Sequence, residues 1–122
     1  MLPSLRNTSG FTLIEVMIAI FILITALTGV VAVAVSVTNG NAFSKEITTA
    51  TTLAVDKMEM LENTKYLDLA GGGPEPVSSL YTRTWTITNN TPATGLKSVQ
   101  VRVSWNRFGR THNVTLNSIM GE

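Results

Sequence analysis

One carboxylate marks the start of a long apolar stretch. Glu15 lies in the string Gly10-Phe11-Thr12-Leu13-Ile14-Glu15-Val16-Met17-Ile18-Ala19-Ile20, and the 29 residues from Val16 through Ser44 carry no charge. An ionised side chain at the edge of an apolar helix is unfavourable unless a cation compensates it, so Glu15 calls for a positive partner. No other residue suggests chemistry so directly. His112 is the only histidine, and without cysteine or a nearby acidic cluster it makes neither a metal site nor a catalytic dyad; it reads as a strand residue. Glu59, Glu62 and Asp68, with Lys65 among them, have the spacing of a solvated helix face rather than of a catalytic pair. From residue 70 onward the only acids are Glu75 and Glu122, too few for a calcium site. The residues therefore predict no catalysis, no metal and no cofactor.

The element that must position Glu15 is a helix. Of the 22 residues from Val16 to Val37, 18 are apolar, and the exceptions, Thr25, Thr28, Gly29 and Ser36, are tolerable in a helix whose hydroxyls bond back to carbonyls. At about 1.5 Å per residue the run spans roughly 30 Å, the thickness of a bilayer core and more than the apolar core of a secretory signal. Arg6 and the starting amine precede the run, whereas Lys45 beyond it is offset by Glu46. The positive-inside bias then favours a cytoplasmic N-terminus.

Asn39-Gly40-Asn41 is a weak spot for a helix, after which helical spacing resumes. Phe43, Ile47, Ala50, Ala54, Met58 and Leu61 form one stripe at steps of three or four, and most charges lie off it. Gly71-Gly72-Gly73-Pro74-Glu75-Pro76 ends the pattern, with the helix expected to reach Leu69. The period then becomes two. Tyr81, Arg83, Trp85 and Ile87 alternate with threonines, and Val99, Val101, Val103 and Trp105 alternate with polar residues. Asn106-Arg107-Phe108-Gly109-Arg110 reads as a hairpin loop into a third strand, roughly His112 to Ile119, with Val114 and Leu116 facing inward. The expected fold is α+β: a long N-terminal helix, transmembrane in its first half and amphipathic in its second, packed on a small antiparallel sheet of about three strands.

Length and charge limit the alternatives. A chain of 122 residues has no room for a multidomain enzyme, and the absence of cysteine leaves the sheet to hold itself by packing. Residues 41–75 contain three lysines against six acids, whereas residues 76–122 contain five basic residues against one acid. The five basic residues, Arg83, Lys97, Arg102, Arg107 and Arg110, are spread over strands and turns, which argues against a nucleic-acid footprint. A basic sheet face of Arg83, Arg102, Arg107 and Arg110 would suit acidic neighbours, or simply solvent.

The string from Gly10 to Ile20 resembles the cleavage and assembly motif of type IV pilins and the pseudopilins of type II secretion. In that family a short polar leader ends in glycine, and a carboxylate sits inside the apolar helix. Gly10, lacking a side chain, lets a protease close around the backbone. The resemblance implies that a prepilin peptidase cuts after Gly10 and methylates the new amine, so that Phe11 becomes the first mature residue. The amine on one subunit's Phe11 would then neutralise the carboxylate of a neighbour's Glu15 and set axial register in a helical bundle. Thr52 to Glu62 and the strand Val99 to Trp105 resemble PilV-type minor pilins and I-class minor pseudopilins. Ala32 stands where many major subunits have a helix-kinking proline, and a cysteine pair is absent.

The sequence thus predicts residues 1–10 as leader, 11–40 as transmembrane and assembly helix, 41–69 as amphipathic helix and 70–122 as sheet. The expected function is that of a minor pilin or pseudopilin near the tip of a filament, priming its assembly. It would be held in the bacterial inner membrane with its C-terminal part periplasmic before it enters the pilus or pseudopilus. The implied partners are other minor subunits and the major pilin, the prepilin peptidase, an inner-membrane assembly platform, and membrane lipid before assembly. The competing reading is an uncleaved, single-pass anchor carrying a binding domain.

Overall fold

The computed structural model describes residues 10–122, which form one long helix, a short 3-10 turn and four strands. Helix α1 covers Leu13–Glu62, the 3-10 turn Tyr66–Asp68, and the strands are β1 (Gly72–Pro76), β2 (Tyr81–Asn89), β3 (Leu96–Arg107) and β4 (Arg110–Gly121). Two compact units divide between Asn41 and Ala42. Asn39-Gly40-Asn41, the expected weak spot, is helical, and the boundary between the units falls at its last residue.

In the first unit every described residue is exposed, including Ile14, Ile18, Phe21, Leu23 and Val33. Three of its threonines turn their hydroxyls to the helix backbone. Thr25 donates to the Phe21 carbonyl at 2.8 Å, Thr28 to Thr25 at 2.8 Å and Thr38 to Ala34 at 2.9 Å. Each bond removes a polar group that an apolar solvent could not satisfy.

In the second unit the last turns of α1 cover the sheet. Ala50, Ala54, Met58 and Leu61 from the predicted stripe are buried together with Val99, Val101, Val103 and Trp105 from β3, and with Tyr81 from β2. The two alanines and three valines have no exposed surface at all, so small helix residues let α1 lie close on the pleat. Phe43 packs at the margin of this core, whereas Ile47 is exposed.

The sheet is an antiparallel meander in the order β1-β2-β3-β4. β2 and β3 pair from Tyr81↔Trp105 to Asn89↔Lys97, and β3 and β4 from Arg107↔Arg110 to Leu96↔Gly121. The alternation read in β3 is the alternation of burial found there.

Two features differ from the expectation. The sheet has four strands, not three, because Gly72–Pro76 is an edge strand rather than a loop. Its prolines are compatible with an edge, where an amide is dispensable, and the register shifts between Gly72 and Glu75. Gly72 and Gly73 make the approach possible. A Cβ on Gly72 would lie 2.7 Å from the Trp85 indole; Gly73, at φ +100°, would press on the Arg83 carbonyl at 2.9 Å. The helix also stops at Glu62 instead of Leu69. The Asn63 side chain and backbone both donate to the Glu59 carbonyl, and the Thr64 hydroxyl takes that of Met60, closing off the last turn. The chain then turns so that Leu69 enters the core.

Candidate functional site

Thr12 precedes the first residue of α1, and its hydroxyl accepts the Glu15 amide at 3.2 Å while its carbonyl accepts the Val16 amide at 3.2 Å. Thr12 is therefore the helix cap, and Glu15 occupies the third helical position, as in the Thr-x-x-Glu capping pattern. Glu15 is also the one acid in the first turn, where the unsatisfied amides of the helix end favour negative charge. The sequence carried this signal in Thr12-Leu13-Ile14-Glu15, and the cap was the residue missed.

Around Glu15 the helix surface forms a shallow groove of about 440 Å³ lined by Phe11, Glu15, Val16, Ala19, Ile20 and Leu23. The small side chain of Ala19 provides the hollow between larger neighbours. Among the described residues no cation approaches the Glu15 carboxylate. Gly10, Phe11 and Glu15 are all exposed, and a Cβ on Gly10 would meet nothing within 4 Å. No described residue, then, requires glycine at that position. Residues 1–9 of the expected leader, including Arg6, lie outside the described residues.

In the second unit the acids Glu75 and Glu46 pair with cations beside the core. Glu75 accepts from Arg83 at 2.8 and 3.1 Å and lies 3.8 Å from the Lys57 ammonium, which sits 3.5 Å from the centre of a Trp85 ring. Arg83 also donates to the Leu53 carbonyl at 3.0 Å. The Arg83 hydrogen bonds hold the Glu75 carboxyl below its ordinary range, against the opposing effect of partial burial. Glu46 accepts from Trp105 at 3.0 Å and Arg107 at 2.7 Å. His112 stacks on Trp105, with Phe43 edge-on to it, as a strand residue should.

The suggested basic sheet face is not formed. Arg83 is buried against Glu75, Arg107 is bonded to Glu46, and Arg102 projects from β3 on the side opposite Val101 and Val103. Alternation along β3 sets Arg102 apart on the other face, while Arg83 and Arg107 on the helix side are taken up by Glu75 and Glu46. Among the described residues no group of three acids or histidines could hold a metal ion.

Residues 5–31 match the family described as the prokaryotic N-terminal methylation motif. Neither a curated protein nor a solved structure gives a significant match to the chain. The matched motif is that of structural subunits rather than enzymes, and it implies processing by a prepilin peptidase and assembly partners in general. α1 is long and apolar enough to cross a membrane, with none of its most apolar stretch buried among the described residues, which accords with anchoring in the inner membrane. The chain thus carries the prokaryotic N-terminal methylation motif at the head of a long apolar helix, with an antiparallel sheet in its C-terminal part, a combination similar to that of type IV pilins.

Proposed function

We propose that the chain is a minor pilin or pseudopilin, a structural subunit at or near the tip of a type IV pilus-like filament. It enters the inner membrane with its N-terminus in the cytoplasm and is cut after Gly10. It carries an N-methylated Phe11 and is then drawn from the bilayer with its neighbours by the assembly platform. The observation that carries this reading is Glu15, uncompensated among the described residues at the head of an exposed apolar helix and one turn from Phe11. In lipid an uncompensated carboxylate costs about 3 kcal/mol at mid-bilayer and less toward the edge. A positive amine freed at Phe11 of an adjoining subunit removes that penalty, so assembled subunits are favoured over dispersed ones. The groove beside Glu15 gives an apolar neighbour a place to lie. The missing cysteine pair, Ala32, and the likeness of Thr52–Glu62 and Val99–Trp105 to PilV-type and I-class subunits support a minor role over a major one.

Intact mass and N-terminal sequencing of the membrane-extracted chain test the processing. An N-methylated Phe11 is expected, and Gly10→Ala should leave the leader attached; a wild-type chain that retains Met1 would instead establish the uncleaved anchor. Glu15→Ala should be processed yet fail to enter filaments or recruit other tip subunits, as read by crosslinking. Normal incorporation of that variant would overturn the role given to Glu15.

A further inference from the structure

The β3–β4 hairpin tip carries groups that neither the core nor the N-terminal motif uses. Its two-residue turn is Phe108-Gly109, both at positive φ (50° and 73°), the geometry of a type I′ turn that ordinarily selects Asn-Gly or Asp-Gly. A bulky aromatic residue is disfavoured there, and Phe108 gains no burial in return, being 85% exposed. The Arg107 guanidinium lies 5.0 Å from its ring centre. Arg110 is exposed, and among the described residues no carboxylate forms an ion pair with it. Phe43, Arg107, Phe108, Arg110 and His112 surround an open hollow of about 470 Å³. Lys45 adds a further exposed cation nearby in sequence, and Glu46, bound to Arg107, is the acid at this end of the sheet.

The chain restricts where this tip can be. Phe43, which contributes to the hollow, follows Val37 at the end of the apolar run by six residues, and six residues reach at most about 20 Å in any conformation. Phe43, and with it one wall of the hollow, therefore stays within about 20 Å of the end of the apolar run. We propose that before assembly the tip docks on the phospholipid headgroups of the bilayer that receives α1. Phe108 enters the interfacial layer and the exposed Arg110 faces headgroup phosphates, while Arg107, bonded to Glu46, stays against the protein; the result is an apolar apex with a cation beside it. The turn strain at Phe108 is then offset by lipid contact rather than by the protein core. This proposal needs α1 in a membrane but not a filament, so it stands or falls separately from the processing of Phe11.

The test uses the full chain in nanodiscs of phosphatidylcholine, with and without phosphatidylglycerol. The protein has no cysteine, so Asn106→Cys gives a single site for a nitroxide at the tip and Thr94→Cys a control on the β2–β3 turn at the other end of the sheet. Accessibility to oxygen and to a water-soluble nickel chelate reports immersion. The label at 106 is expected to be shielded from nickel in the anionic discs and less so in the neutral ones, while the label at 94 stays in water. Arg110→Gln should lower the docked-to-undocked ratio about fivefold, and Phe108→Ser should abolish shielding; Arg102→Gln should change neither. Circular dichroism verifies that each variant keeps its sheet. Equal water exposure of the tip in both discs overturns the proposal, as does shielding that survives both tip substitutions. Shielding that appears only when another pilin subunit is added assigns the tip to a protein instead and overturns it equally.

Discussion

The Glu75, Arg83, Lys57 and Trp85 group shows how single residues divide the work of holding the sheet edge. Two cations with side chains only 9% and 10% exposed converge on one carboxylate that is 43% exposed, so Glu75 keeps water on one side while neutralising charge on the other. Its carboxyl is held below the ordinary value of 4.5 chiefly by the Arg83 hydrogen bonds. A carboxylate whose folded pKa is lowered contributes stability that is present above its unfolded value and is lost as the pH falls through the folded one. Glu75→Gln is therefore expected to melt below wild type at neutral pH, with the gap closing as the pH is lowered below about 4.5; thermal unfolding followed by circular dichroism across that range checks it. An unchanged gap at low pH would remove the charge interaction as its cause.

Among the elements, helix and sheet meet through small residues, and that sets what substitutions the interface accepts. Ala54 has no exposed surface, whereas Thr52 two positions away is solvent-facing. Ala54→Leu should destabilise the second unit by about 1–3 kcal/mol through overpacking, and Thr52→Leu should stay within roughly 0.5 kcal/mol, as measured by denaturant unfolding. Much of this interface was readable in the chain: the stripe of Ala50, Ala54, Met58 and Leu61 and the alternation of Val99 to Trp105 each have one dry face, and periodicity reports that directly. β1 was not readable. Gly-Gly-Pro-Glu-Pro has turn composition, and it becomes a strand because the free edge of β2 and the flat Trp85 ring accept a backbone without side chains. The burial of Lys57 and Lys97 was equally hidden. Lys97 donates to the Tyr66 carbonyl at 2.6 Å beside that residue's ring, a pairing that depends on where the chain goes after α1 stops. At the N-terminus the carboxylate and glycine stood out by type, while the Thr12 cap needed the helix start to be located first.

For the molecule as a whole, the division at Asn41 and Ala42 separates two solvents. The described residues before it expose their apolar side chains, and those after it enclose a core made within residues 42–122. A fragment of residues 42–122 is expected to be soluble without detergent and to unfold cooperatively, while the full chain needs lipid or detergent; circular dichroism and denaturant titration of both decide this. Aggregation of the fragment would mean that its core depends on the apolar segment. The meander has a consequence for biogenesis. Each strand pairs only with its sequence neighbour, so hairpins can zip up one after another as the polypeptide is made. Closure onto the helix is different in kind, since the Glu46 contact to Arg107 joins positions 61 apart and must wait until β3 has emerged. Throughout that interval the alanine face of α1 is bare, and the nascent chain depends on chaperoning or on speed to avoid aggregation.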